Sequence, residues 1–391
     1  MILIFVGIYI WIWILNFQSN PLVNPTEIDH FLSYSLCGRL ISIPNLTLTS
    51  KEYDQLNSEA SNYLIYPQDC TFFQQFTADV SSNDSIAFTI LIHPNIDQFD
   101  YLLRLIYQRH HVFCIHIDLK ASDELYASIQ SRSKCVENII FPNKRLNVTW
   151  GKFSVIEAEH LCQKKLLEHS QQWKYYFNLG SSDVPLKTSR EFNEILKFYN
   201  QQNDITSLVY RSQLRQQNTF INKTLPSSIK QPVYKGEFHV LLTRTAVEFI
   251  HTNRRVRDLY EYLNGTFVPD EHYYAIINRW KETPGYYPYD HDLSQKTFMT
   301  RYKIWIDRPE ARLCRGGFVR GICIFNYQDL WHLTTSPHFF ANKILFERDR
   351  IAPYCLAKYL DIRQRNDFLM IDHDFYRQLD NVRFGRTREY S

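Results

Sequence analysis

The segment Ile86-Ala-Phe-Thr-Ile-Leu-Ile-His93, an apolar run that stops on a polar residue, restricts the fold more than any other. A strand with apolar side chains on both of its faces belongs inside a parallel sheet covered above and below. Gln98 to Arg109 then has the spacing of an amphipathic helix, and His111-Val-Phe-Cys-Ile-His-Ile117 is a second buried run that closes on Asp118. Strand, helix and strand in close succession predict a βαβ unit. The alternation continues, with a helix predicted over Ser154 to Glu168 and a strand over Lys174 to Leu179. Gly180-Ser-Ser-Asp183 and Pro185 end that strand, and Ser189 is placed to cap the next helix. The expected class is therefore α/β, a mostly parallel sheet with helices on both faces. Ligands of such sheets bind at the carboxyl ends of the strands, where His93, Asp118 and Asp183 fall.

The chain has 391 residues, 44 basic and 41 acidic, and that near balance gives no clustered basic face of the kind a nucleic acid needs. With 45% hydrophobic and 22% charged residues it has the composition of a packed globular protein. Met1 to Leu15 carries no charge and includes Tyr9, Trp11 and Trp13, and with Phe17 it reaches the short limit of a membrane span. A retained signal-anchor over 1–17 and a cleaved signal peptide both fit it. The polar stretch 18–85, interrupted by Pro21, Pro25, Pro44 and Pro67, reads as a stem, parts of which Cys37 and Cys70 staple onto the globular domain that follows. The Arg- and Asp-rich tail 361–391 reads as a solvated appendage.

The eight cysteines are even in number and none lies in a C-x-x-C pair, which argues against structural zinc and for disulfides formed in an oxidising lumen. Asn-x-Ser/Thr acceptors at Asn45, Asn83, Asn147, Asn222 and Asn264 agree with a lumenal address. Asp290-His-Asp292 and Asp372-His-Asp374 spell the Asp-x-Asp element that holds a divalent ion in many nucleotide-sugar transferases. Neither follows a buried strand, and both are read as solvated turns.

Two cations stand out in Cys314-Arg-Gly-Gly-Phe-Val-Arg320-Gly-Ile-Cys323 and Pro337-His-Phe-Phe-Ala-Asn-Lys343. Taken singly, Arg320 is a solvated loop cation and Lys343 a helix C-cap. Together they are fixed positive charges able to meet a diphosphate without a metal, beside a cysteine pair that can close a small rigid loop. Glu271, in Pro269-Asp-Glu-His272, reads equally as a helix-dipole partner and as a base, and Asp118 equally as a turn carboxylate and as a ribose or base acceptor.

These segments, with Asn178-Leu-Gly-Ser-Ser-Asp-Val-Pro185 and Trp150-Gly-Lys-Phe-Ser154, occur in the order found in the core-2/I-branching β-1,6-N-acetylglucosaminyltransferase family, which the chain resembles from about Ile86 to Leu360. The resemblance implies a disulfide-stapled, GT-A-type Rossmann-like domain that transfers a sugar from a UDP-sugar to a glycan. It implies Glu271 as catalytic base, and Asp118, Asp183, Arg320 and Lys343 as UDP-sugar contacts. It also implies Trp305 against the acceptor sugar, further acceptor contacts near Tyr210 to Arg215, and no metal or other cofactor. The implied pairing is Cys37 with Cys355, Cys70 with Cys135, Cys114 with Cys162 and Cys314 with Cys323.

On this resemblance the donor is UDP-GlcNAc, the product a β-1,6 linkage on an O-glycan or glycoprotein acceptor, and the setting the Golgi lumen behind a single-pass, type II anchor. Other donors, UDP-glucose or UDP-xylose, including peptide O-xylosyl transfer, form one alternative. A catalytically silent glycan-binding protein forms another.

Overall fold

In the computed structural model, strand β1 (Ser85–Ile92) is buried at every position except Leu91. The structure describes residues 27–67, 69–75, 84–93, 95–170, 172–209, 220, 223–229, 234–287, 298–366 and 369–387. Alternation along β1 sends Ile86, Phe88, Ile90 and Ile92 into one apolar cluster and Ala87 into a second cluster on the opposite face. β2 (Val112–Ile117) lies parallel to β1 on one side, and β3 (Ile139–Ile140) lies parallel beyond β2. β4 (Trp173–Gly180) lies parallel on the other side of β1, with Phe88 stacked between Phe113 and Phe177 at centroid distances of 5.2 and 5.9 Å. β8 (Leu241–Thr243) closes that edge antiparallel to β4, so the order is β3-β2-β1-β4-β8. The molecule is thus the mostly parallel, helix-flanked α/β fold that the apolar runs predict.

A smaller sheet sits at the carboxyl ends of these strands. In it β12 (Phe340–Asn342) pairs antiparallel with β5 (Asp183–Pro185) and parallel with β9 (Arg301–Tyr302). β6 (Leu208–Val209) and β7 (Tyr234–Lys235) form an antiparallel ribbon, and β10 (Phe318–Val319) and β11 (Ile322–Cys323) a hairpin.

Several boundaries move for identifiable reasons. The first crossover helix runs Ile96–Ile106, because the Asn95 side chain caps it and Tyr107 is already extended. Thr188, and not Ser189, caps the helix Ser189–Tyr199. Only Thr188 stands three residues before Glu191, and the two close a reciprocal capping box through Thr188 Oγ1 and the Glu191 carboxylate. Asp372 caps the helix His373–Gln378, and Asp374 pairs with Arg377, so this Asp-His-Asp is a helix start and not a solvated turn. Asp290-His-Asp292 lies outside the described residues.

The C-terminal segment also departs from expectation. Helix Ile351–Arg365 crosses residue 360 unbroken. The helices His373–Gln378 and Asp380–Thr387 follow and contact Ser189–Tyr199, with Tyr376, Leu379 and Val382 buried. Beneath them Arg363 and Glu191 form an ion pair 1% and 0% exposed, and Met370 N–H donates to the same carboxylate. The tail is therefore docked, its apolar residues supplying the reason. At the other end, helices Glu27–Tyr34, Leu36–Ser42 and Ser50–Tyr63 pack on Ile351–Arg365.

Disulfides join Cys37 to Cys355, Cys70 to Cys135, Cys114 to Cys162 and Cys314 to Cys323. The first ties the N-terminal helices to Ile351–Arg365, and the third ties β2 to the helix Ser154–His169. Among the described residues no helix is long and apolar enough to cross a membrane, and the apolar run 1–17 lies outside them.

Candidate active site

Asp118 follows β2 directly and is 5% exposed. Its carboxylate accepts from Lys120 N–H at 2.8 Å, Lys120 Nζ at 2.9 Å and Val148 N–H at 3.2 Å. Arg145 supports the same turn from behind, donating to the carbonyls of Ile117, Asp118 and Ala121 while its guanidinium lies 4.3 Å from the Tyr126 ring centre. The strand end is thereby a fixed acidic ledge. Trp150 stands exposed two residues beyond Val148 and meets Phe267 edge to face at 5.8 Å. Val268 N–H donates to the Gly151 carbonyl, which links this ledge to the loop that opens the Glu271 helix.

Arg320 and Gly321 form the two-residue loop of the β10–β11 hairpin, with φ of +52° and +79°. Two positive φ values are the pattern of a type I′ turn, where glycine or asparagine is favoured and a long side chain costs of order 1 kcal/mol. The Cys314–Cys323 bridge clamps the hairpin, Trp305 bridges to Ile322, and Ile306 N–H donates to the Gly321 carbonyl at 2.9 Å. Arg320 is thus an exposed cation on a braced, strained turn. Trp305 is half-buried, and a Cβ on Gly321 would stand 4.0 Å from its ring, which places it beside this turn.

Lys343 follows β12 and is half-buried. Burial lowers its pKa, the neighbouring charges of Arg320 and Lys303 lower it further, and Asp183 opposes them. Phe325 N–H, two residues beyond Cys323 of the hairpin, donates to the Lys343 carbonyl at 3.0 Å, and Asn342, next to Lys343, holds Asp183, so the structure brings the Arg320 hairpin, Lys343 and Asp183 together. Asp183 itself is fully buried: Gly180 N–H donates to Oδ2 at 2.7 Å, Asn342 Nδ2 to Oδ1 at 2.8 Å, and the buried Arg301 guanidinium lies against both oxygens. Its carboxylate is consumed in fixing β5, β9 and β12, and through Asn342 it fixes the base of Lys343.

Helix Asp270–Ile277 begins just after Pro269 and supplies Glu271. The Glu271 carboxylate reaches Lys235 Nζ at 2.8 Å, and both side chains are partly exposed. Gly236 N–H donates to the Glu271 carbonyl, a contact that only glycine permits, since a Cβ there would lie 1.9 Å from the Thr206 carbonyl oxygen. Asp270 turns inward. Burial first, then the Glu271 charge, pushes its carboxyl up to about 7, against the pull of Lys235 and Lys303.

Lys303 is the link between the two halves of this site. It acts electrostatically on Lys343 and on Asp270, donates to Glu237, and reaches His239 Nδ1 at 2.8 Å. Lys235, Glu237, His239, Arg301 and Lys303 are the site residues that sequence reading misses. The charges alternating along Arg301-Tyr-Lys303 are the one local signal, because a two-residue period puts both on one face of a strand. The expected acceptor contacts near Tyr210 to Arg215 lie outside the described residues, as do Asn83 and Asn222. Asn147 is exposed and accepts from Lys120 Nζ at 3.0 Å, Asn45 accepts from Arg315 at 2.7 Å, and Asn264 follows the helix Arg254–Leu263.

The family model described as Core-2/I-Branching enzyme matches residues 86–330. Human beta-1,3-galactosyl-O-glycosyl-glycoprotein beta-1,6-N-acetylglucosaminyltransferase is 29% identical over 76% of this chain and 76% of its own. Human N-acetyllactosaminide beta-1,6-N-acetylglucosaminyl-transferase is 30% identical over 69% of this chain and 71% of its own. Among solved structures, apo mouse xyloside xylosyltransferase 1 aligns with a TM-score of 0.31 and 12% identity, over 59% of this chain and 92% of that one, a distance at which the likeness carries no argument. On the family match and the relatives, the chain belongs to the Core-2/I-Branching enzyme family of glycosyltransferases.

Proposed function

We propose that this protein is an inverting glycosyltransferase that moves N-acetylglucosamine from UDP-GlcNAc in β-1,6 linkage onto an O-glycan or glycoprotein acceptor, without a metal ion. The observation that carries the reading is the place of Lys303 between the two halves of the site: its Nζ donates to Glu237, whose neighbour Gly236 donates to the Glu271 carbonyl, while the residue after Lys303, Ile304, accepts from Cys323 of the Arg320 hairpin. The acceptor hydroxyl oxygen attacks the anomeric carbon from the face opposite the leaving group. Its proton passes to the Glu271 carboxylate, while the bond from the anomeric carbon to the phosphate oxygen breaks and UDP takes the electron pair. UDP leaves as an anion, so one base suffices where a glycosidase needs two carboxyl groups. Direct displacement turns an α-linked donor into a β-linked product.

Arg320 offers a planar fork and Lys343 a point charge for the negative charge that grows on the departing β-phosphate. The strained turn beneath Arg320 and the burial of Lys343 hold these charges before substrate arrives, which reduces reorganisation during the reaction. The full engagement of Asp183 by Arg301, Asn342 and Gly180 supports a cationic, metal-free leaving-group site, with Asp183 serving the donor through the strands it fixes. Asp118 is assigned to the nucleoside and Trp305 to a sugar face. The names of the relatives favour GlcNAc as the donor sugar. Residues 1–17 are assigned as a type II signal-anchor that holds the domain in the Golgi lumen.

The test is a donor-by-acceptor activity screen with and without EDTA, repeated for Glu271→Gln. Chelator-insensitive transfer that falls by at least about 100-fold in the variant is expected. Transfer that depends on added Mn²⁺ would overturn the mechanism, and undiminished transfer by Glu271→Gln would remove the base.

A further inference from the structure

Lys303 has a second consequence, which concerns His239. The lysine side chain is 7% exposed, and Nζ donates both to the Glu237 carboxylate and to His239 Nδ1, the latter at 2.8 Å. An ammonium group has no lone pair and can only donate. Nδ1 of His239 must therefore accept, which puts the ring proton on Nε2, 3.7 Å from Asp183 Oδ2. Asp183 binds Asn342, and the next residue is Lys343. Lys303, His239, Asp183 and Asn342 thus stand in succession beneath the cation assigned to the leaving group, with hydrogen bonds at either end and a 3.7 Å approach between His239 Nε2 and Asp183 Oδ2.

We propose that Lys303 is a positioning residue of the pyrophosphate site, which locks His239 as the neutral Nε2–H tautomer so that the site's positive charge does not vary with pH. This inference rests on the reading of Arg320 and Lys343 as phosphate ligands. The groups facing His239 are Lys303 and Arg301 from the β9 segment, Lys343 from beyond β12 and Asp183 from β5, with Glu237 on its own segment. Burial first, then Lys303, Arg301 and Lys343, keep the imidazole well below its usual range. Removing Lys303 takes away one of those cations, frees Nδ1 to bind a proton, and leaves the Glu237 carboxylate without its ammonium partner. His239 then becomes the titrating cation of the site. In Lys303→Met, acid would restore by protonation the charge that the substitution deletes.

The experiment is calorimetric binding of UDP-N-acetylglucosamine, whose diphosphate has no proton equilibrium near neutrality, to the wild type, Lys303→Met and Lys303→Met/His239→Gln from about pH 5.5 to about pH 8. The wild type should hold a nearly constant affinity. Lys303→Met should bind about tenfold more weakly at the alkaline end and recover towards wild type at the acid end, while the double variant stays weak throughout. A uniform loss in Lys303→Met at every pH, or no loss at all, overturns the proposal. Failure of the wild type to bind the sugar nucleotide removes the donor-site reading beneath it. Should Lys303→Met not fold, ¹⁵N-histidine spectra of the wild type decide, with His239→Gln identifying the resonance: Nδ1 must be unprotonated and Nε2 protonated across this range, and a protonated Nδ1 at neutral pH refutes the lock.

Discussion

Arg320 shows how a single residue trades stability for position. Its φ of +52° is a conformation that a side chain tolerates poorly and glycine adopts freely. At most positions truncating a side chain removes contacts and destabilises. Here Arg320→Gly releases strain worth about 1 kcal/mol, offset in part by the extra freedom of glycine in the unfolded chain. The variant should melt at or slightly above the wild-type temperature while its transfer rate falls by about 100-fold or more. Calorimetry beside a steady-state assay checks both halves, and a melting temperature clearly below wild type would show that the turn is not strained. Glu271 and Asp270 give the complementary lesson, because adjacent carboxyl groups on one helix start meet opposite environments. One reaches Lys235 at the surface, and the other is pushed up to about 7 by burial and by its neighbour's charge.

At the scale of elements, the β10–β11 hairpin is a short ribbon of two strands that would be marginal alone. The Cys314–Cys323 bridge, closing a span of nine residues, and the Trp305–Ile322 contact brace it, and just beyond it Phe325 N–H donates to the Lys343 carbonyl. Closing so short a loop contributes no more than about 2–3 kcal/mol to stability in the chain-entropy account. Replacing both cysteines by serine should accordingly leave the domain folded. The same replacement should weaken UDP-sugar binding by about tenfold, because Arg320 then samples many orientations before each encounter. Equal affinity in the serine variant, measured by calorimetry, would mean that the hairpin holds its place without the bridge.

At the scale of the whole molecule, Glu191 joins the start of its own helix to a segment of the chain more than 170 residues away. It closes the capping box with Thr188, accepts from the buried Arg363 guanidinium and accepts from Met370 N–H. This carboxylate adds a polar tie to the apolar packing of the C-terminal helices on Ser189–Tyr199, which itself packs Phe192 against Phe177 of the core sheet at 6.1 Å. Arg363→Met leaves that carboxylate buried without its cation, and the expected loss is about 3–5 kcal/mol of unfolding free energy. Denaturant titration measures it, and a loss below about 1 kcal/mol would mean that the tail is peripheral after all.

Much of this architecture is legible in the sequence because its signals are local. The apolar runs at Ile86 and His111 form strands because they are short, rich in β-branched and aromatic residues and bounded by polar residues, which suits a strand apolar on both faces. Pro269 marks the start of the Glu271 helix, and the strand ends place Asp118 and Asp183 at the carboxyl edge. What the sequence could not indicate is which charges meet. Asp183 reads as a free ligand until Arg301 and Asn342, more than a hundred residues away, are seen to occupy it. Lys303 reads as an unremarkable cation until the fold carries it to Glu237 and His239. A residue's secondary structure follows from its neighbours in the chain, whereas its protonation and its partner follow from burial and distance, which only the tertiary fold sets.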